Sequence, residues 1–127
     1  MGMEQTVCWG KGRELRWKAV RELLSQRGFP IQVRMIDGQL AFPDEEPTEE
    51  WRELRLGTPH GMVTVRREPD RVVLVTWGNA EPPLIQAWNA LTWAFAEAGG
   101  GRILAAGGPV SAEDFLRTAD LPGGFGD

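Results

Sequence analysis

The apolar run from Val72 to Phe95, interrupted only at Gly78–Pro83, constrains this chain more than any other feature. Before the break, Val72, Val73, Leu74, Val75 and Trp77 make a short β-branched and aromatic stretch, which reads as a strand. After it, Leu84, Ile85, Trp88, Leu91, Trp93 and Phe95 crowd a longer segment, which reads as an apolar helix over 83–98. The residue before a proline avoids helical dihedrals, so Pro82 is expected outside this helix and Pro83 at its first position. Gly99-Gly100-Gly101 ends it.

Alternation along the strand sends Val73, Val75 and Trp77 to one face and Val72 and Leu74 to the other. A strand apolar on both faces is expected to be covered on both. Either helices lie on both sides, or one side meets another chain. The expectation is a homo-oligomer, most simply a two-fold dimer, or a complex with a different protein. Val72, Leu74, Trp88 and Trp93 are the candidate interface residues. Trp88 and Trp93 stand five positions apart, about 140° around a helix axis, so they cannot share one stripe.

Elsewhere the signals are local. Residues 1–10 read as extended or loose. Trp17, Val20, Leu23 and Leu24 fall on one stripe, which predicts an amphipathic helix over 11–27 with Lys11, Arg13, Lys18 and Arg21 mostly off that stripe. Gly28 and Pro30 stop it. Ile31, Val33 and Met35 alternate with Gln32 and Arg34 as a strand, and Asp37-Gly38 turns the chain into a return strand over 40–42. Further strands are predicted around 54–56, 62–67 and 71–77, the last two joined by the tight turn Glu68-Pro69-Asp70. A short strand over 102–106, a turn at 107–109 and a short helix starting near Ser111 complete the order. The fold class is α+β: one domain over 1–120, with an antiparallel sheet of about five strands, an N-terminal helix, the long apolar helix and a short C-terminal helix. Residues 121–127 read as a flexible tail.

The composition narrows the chemistry. The chain has one histidine, one cysteine and no tyrosine among its 127 residues. A single cysteine cannot close an internal disulfide, which fits a reducing cytoplasm. No apolar stretch is long enough to span a bilayer, so no membrane is expected. Lys11 and Lys18 are the only lysines, and arginine takes the other basic positions, a composition pointing to a GC-rich, thermophilic bacterial source. The net charge is −4 but segregated: residues 1–30 and 51–71 are basic, residues 44–50 and 72–127 acidic. An acidic whole opposes general affinity for nucleic acid, which rests on phosphate neutralisation, yet leaves room for one local basic patch.

Each reactive residue has an ordinary reading beside a chemical one. His60, in Thr58-Pro59-His60-Gly61, reads as a solvated turn residue, since a general base or metal site needs partners that the neighbouring sequence lacks. Cys8 lies close to Lys11 and Arg13 and would make the one conceivable nucleophile–base pair with His60; an idle thiol is the plainer reading. Asp44, Glu45, Glu46, Glu49 and Glu50 lack the glycine and spacing of a calcium loop. Gly107, Gly108 and Ser111 stand where a strand-to-helix turn can cradle an anion, though the phosphate-loop lysine is absent. Trp9 and Trp51, near loops, are the tryptophans expected at exposed contacts, while Trp17, Trp77, Trp88 and Trp93 are expected to pack.

No catalytic residue, cofactor or metal ligand is therefore assigned. The first functional expectation is a non-enzymatic protein-binding or self-associating module. The alternative is a nucleic-acid-binding accessory domain using the basic helix 11–27 and Arg34, Arg55, Arg66, Arg67 and Arg71. A second alternative is an enzyme with its anion site at Gly107–Ser111.

Overall fold

The computed structural model describes residues 2–9, 16–42, 45–105 and 108–125. The order is β1 (Gly2–Cys8), α1 (Trp17–Gln26), β2 (Gln32–Ile36), β3 (Gln39–Leu40), β4 (Glu53–Thr58), β5 (Gly61–Glu68), β6 (Arg71–Trp77), α2 (Pro82–Gly99), β7 (Arg102–Ala105), β8 (Gly108–Ser111) and α3 (Ala112–Thr118). The fold is α+β, with three helices and one antiparallel sheet in the order β3-β2-β4-β5-β6-β1-β7-β8.

The sheet has eight strands rather than about five. Residues 2–8, read as extended or loose, form β1, which slots between β6 and β7 and pairs with both. Residues 108–111, read as a turn and a helix start, form β8 along β7. The hairpins β2–β3, β4–β5 and β5–β6 form as expected, while β3 takes the sheet edge and β4 pairs with the other side of β2. Asp37 takes the left-handed conformation at φ 50° and Gly38 follows at φ 84°, as the tight β2–β3 turn requires.

Alternation divides the sheet into a covered and an open face. On the covered face, Val7, Leu54, Leu56, Val63, Val65, Val72, Leu74 and Ile103 have no exposed surface, and Val33 and Thr76 almost none. All three helices contribute to the core that covers them. Trp88 of α2 donates its indole N–H to the carbonyl of Leu74 at 2.9 Å, and Trp17 of α1 stacks against Phe95 of α2 at 6.3 Å. Trp51, just ahead of β4, meets the same Phe95 at 6.4 Å.

Helix α2 begins at Pro82, one residue earlier than expected, and is not apolar all round. Its buried Asn89 and Thr92 both accept hydrogen bonds from the side chain of Gln5 on β1. Gln86 reaches Asp120 on the other side. The helix stops at Gly100, which is left-handed at φ 63°. For α1, the described part of the predicted helix starts at Trp17 and ends at Gln26; residues 11–15 lie outside the described residues.

Residues 121–125, expected as a frayed tail, lie against this body. Phe125 is 1 % exposed and packs edge-on against Phe29 and Trp93 at 5.9 and 5.7 Å. The Arg27 guanidinium lies over Trp93 at 5.0 Å and donates to the carbonyl of Phe125 at 3.0 Å. A single aromatic residue thus anchors a glycine-rich segment whose composition alone reads as loose.

Candidate functional site

Two strand residues expected at an interface, Val72 and Leu74, are spent inside the chain, as are Trp88 and Trp93. Trp88 faces the sheet, and Trp93 faces the second layer formed by Arg27 and Phe125. The part of β6 that remains accessible is its other side: Val73 and Val75 are half-buried, and Trp77 is 67 % exposed. Nothing among the described residues lies over them as α2 lies over Val72 and Leu74. The half-burial has a local cause. Val75 sits between Thr64 and Glu4 and Val73 between Arg66 and Thr6, so each valine is flanked within the face by one threonine and one longer side chain.

The open face gathers apolar side chains. Five large hydrophobic residues are exposed among the described residues, and four of them lie here: Leu40 at 87 %, Trp77 at 67 %, Leu104 at 41 % and Met62 at 38 %. Register fixes their side. Leu40 opposes Met35 and Met35 opposes Arg55; Met62 opposes Gly57; Trp77 opposes Gly2; Leu104 opposes Thr6. Met62 and Trp77 stand on the neighbouring strands β5 and β6, while Leu40 and Leu104 lie apart on β3 and β7.

The same face collects arginines. Arg55, Arg66 and Arg71 project from β4, β5 and β6, and Arg102 from β7. Arg34, at the irregular step between Val33 and Met35, lies across Gly57, where an added Cβ would come within 2.8 Å of its Nε. Four carboxylates stand beside them, and Asp70 pairs with Arg71 at 3.0 Å. Glu53 pairs with Arg66 at 3.6 Å and Arg55 at 4.0 Å. Glu68 stands opposite Arg71, and Glu4 opposite Val75, where it forms no ion pair among the described residues.

Four of the five arginines singled out by sequence therefore share one face, and Arg67 does not. Arg67 lies over the Trp51 ring at 4.8 Å and donates to the Glu49 carbonyl. Trp51 itself is 1 % exposed, so the aromatic expected at a contact is a core residue and Trp77, expected in the core, is the exposed one. Arg102 and Leu104 escaped the sequence reading because their side follows from the pairing of β7 with β1, a partner distant in the chain. Helix α1, with Lys18 and Arg21, packs on the covered side, so the sheet separates the basic helix from the strand arginines.

The chemical candidates are not brought together. Cys8 ends β1 beside Arg71, while His60 lies in the turn ahead of β5; the length of β5, about 20 Å, separates those two ends of the sheet. The Ser111 hydroxyl is occupied as the cap of α3, accepting from the Asp114 N–H at 3.1 Å. Glu113 and Asp114 already hold the positive end of this short helix, Gly108 opposes Ala105 in β8, and Gly107 lies outside the described residues. Asp44 of the acidic connector also lies outside them. No group of three or more metal-ligating side chains occurs among the described residues, and no helix there is long and apolar enough to cross a membrane.

An open depression of about 1140 Å³ lies at one end of the sheet, between Trp9, Arg16, Trp17, Trp51 and Arg67. Lys18, Arg52 and the carboxylates Glu46, Glu49, Glu50 and Glu68 also line it. The displaced carboxyls belong to turns: Asp37 is held below its ordinary value by the N–H groups of Glu53 and Arg52, and Asp70 by the hydrogen bond from Arg71. Comparison with protein-family models, with curated protein sequences and with solved structures finds no match to this chain.

Proposed function

We propose that this protein is a non-enzymatic binding module that associates with protein, its own kind in the simplest case, through the open face of its sheet. The observation carrying this reading is the placement of Leu40, Met62, Trp77 and Leu104 on the sheet face that no helix among the described residues covers. Aromatic residues, methionine and arginine are the types enriched where protein surfaces meet, and this face carries all three. The reactive side chains are dispersed, which removes the motive for an enzyme reading. The lone cysteine supports a reducing compartment, the cytoplasm, as the place of action.

Light scattering behind size exclusion tests the reading. The wild-type protein is expected above its chain mass of 14.1 kDa at micromolar concentration, and Val75→Arg, a change on the open face, is expected to return it to the chain mass. A single-chain mass for the wild type at every concentration overturns the reading.

The gathering of Arg34, Arg55, Arg66, Arg71 and Arg102 beside Trp77 favours a second reading, single-stranded nucleic acid lying on the same face. The net charge of −4 and the sharing of Glu53 by two of these arginines weigh against it. An oligonucleotide whose mobility does not change at low salt ends it.

A further inference from the structure

We propose that the occupant of the open face is a second copy of this chain, seated face to face about a two-fold axis that runs along the strands between β5 and β6. This rests on the reading of that face as a protein-binding surface, and adds the partner and its register.

The argument starts from one row across the sheet. Arg55 on β4 opposes Thr64 on β5, Thr64 opposes Val75 on β6, and Val75 opposes Glu4 on β1. The row reads cation, small residue, small residue, anion. Rotation by half a turn about an axis between its two central strands reverses it onto itself. Glu4 of each copy then meets Arg55 of the other, twice by symmetry, and Thr64 meets Val75 at the centre. An isologous contact demands this self-complementarity, and a different partner would not.

Glu4 is free to take such a partner. It is exposed and forms no ion pair among the described residues. Arg55 has spare capacity, because its contact with Glu53 is long, at 4.0 Å, and Arg66 takes the same carboxylate at 3.6 Å. In this row the central pair, Thr64 and Val75, is small, as face-to-face packing at about 10 Å requires, while in the neighbouring row the rotation sets Arg66 of one copy against Val73 of the other.

Area and edges agree. Eight strands at about 4.8 Å spacing and about 20 Å length offer about 700 Å², close to the roughly 800 Å² per partner of a standard interface. Association through the sheet edges is the poorer route. One edge, β3, has two residues, and the other, β8, carries Pro109, which has no N–H to donate.

Charge reversal tests the register, with the dimer dissociation constant read by sedimentation equilibrium and the fold checked by circular dichroism. Glu4→Arg and Arg55→Glu are each expected to weaken the dimer about tenfold or more, because each sets like charges against one another at two symmetric positions. The double variant E4R/R55E restores opposite charges and is expected to recover most of the loss. If both single variants dimerise like the wild type while Val75→Arg is monomeric, the register is wrong and the binding face stands. If the double variant is weaker than either single one, the Glu4–Arg55 contact is likewise overturned. A wild-type protein that is monomeric throughout overturns both this arrangement and the reading beneath it.

Discussion

The side-chain amide of Gln5 donates to the Oδ1 of Asn89 at 3.0 Å, tying β1 to α2 across 84 positions of chain. The same amide donates to the Thr92 hydroxyl at 3.0 Å, and that hydroxyl donates to the Trp88 carbonyl at 2.8 Å. Asn89 passes its own N–H to the carbonyl of Asp120 at 2.9 Å. Three distant parts of the chain therefore share one polar cluster beneath an otherwise apolar helix. Gln5→Leu removes the donor and strands a buried acceptor on Asn89. It is expected to cost about 1–3 kcal/mol in urea denaturation. In an Asn89→Leu background the stranded acceptor is gone, so the same change should cost less. An equal cost in both backgrounds would mean that the two residues act independently.

Asp37 gives the fold a dependence on acid. Its Oδ1 accepts the N–H of Arg52 at 2.7 Å and of Glu53 at 2.9 Å, fastening the β2–β3 turn to the start of β4. These donors, Glu53 first, hold the carboxyl below its ordinary value of 3.8. The folded state therefore releases this proton more readily than the unfolded one. The stabilisation is complete above the ordinary value and is lost as pH falls below it through the folded value. Asp37→Asn keeps a side chain that tolerates positive φ and an oxygen acceptor, so it is expected to cost only about 1 kcal/mol at neutral pH. The gap between wild type and Asp37→Asn should close in acid. A gap that stays constant from neutral pH to below the carboxylate range would show that the charge contributes nothing.

What could be read from sequence tracks how local each signal is. The hairpins β2–β3 and β5–β6 were legible because their turns carry their own chemistry, Asp37-Gly38 and Glu68-Pro69-Asp70, between residues that alternate; the pairing of β4 with β2, past β3, was not. Strand β1 was not, because its covered positions are Met3, Gln5 and Val7, of which Val7 alone is both apolar and fully buried. Its order comes from β6 and β7, partners remote in sequence. Strand β8, with glycine and proline, carries every mark of a turn and is a strand because β7 lies beside it. The two sides of β6 were legible by alternation. Among the described residues helices cover one side alone, and the other expected arrangement, a partner chain over Val73 and Val75, is the one proposed for the open face. The open face as a whole was not legible, since strand order decides which arginines meet.

Phe125 is expected to hold the C-terminal segment as a structural element. Beyond its ring contacts with Phe29 and Trp93, the turn before it passes close under α1's end, where Gly124 sits at φ 96° beside the carbonyl of Arg27. Phe125→Ala empties a site that is otherwise closed, which is expected to cost about 3 kcal/mol. Tryptophan emission should shift to the red as Trp93 gains water. Pro122→Ala, in the same segment, is the contrasting change and should cost less than about 1 kcal/mol. Wild-type stability in Phe125→Ala would show the segment to be dispensable.

The two tryptophans whose places are exchanged relative to the sequence expectation provide the sharpest contrast. Trp51 fills the space between Phe95 and the Arg67 guanidinium and is closed to solvent. Trp51→Ala therefore opens a large cavity and is expected to cost about 3–5 kcal/mol, enough to unfold a marginal domain. Trp77 ends β6 on the open face, and its ring has little to lose within the chain. Trp77→Ala is expected to change the stability of the single chain by no more than about 0.5 kcal/mol. Its effect should appear in association instead, because a large aromatic side chain at a contact surface contributes more than its neighbours. Measured at a concentration where wild type is associated, Trp77→Ala should weaken the assembly while its denaturation midpoint as a dissociated chain stays put. A loss of monomer stability comparable with that of Trp51→Ala would place Trp77 in the core after all and remove it from the binding face.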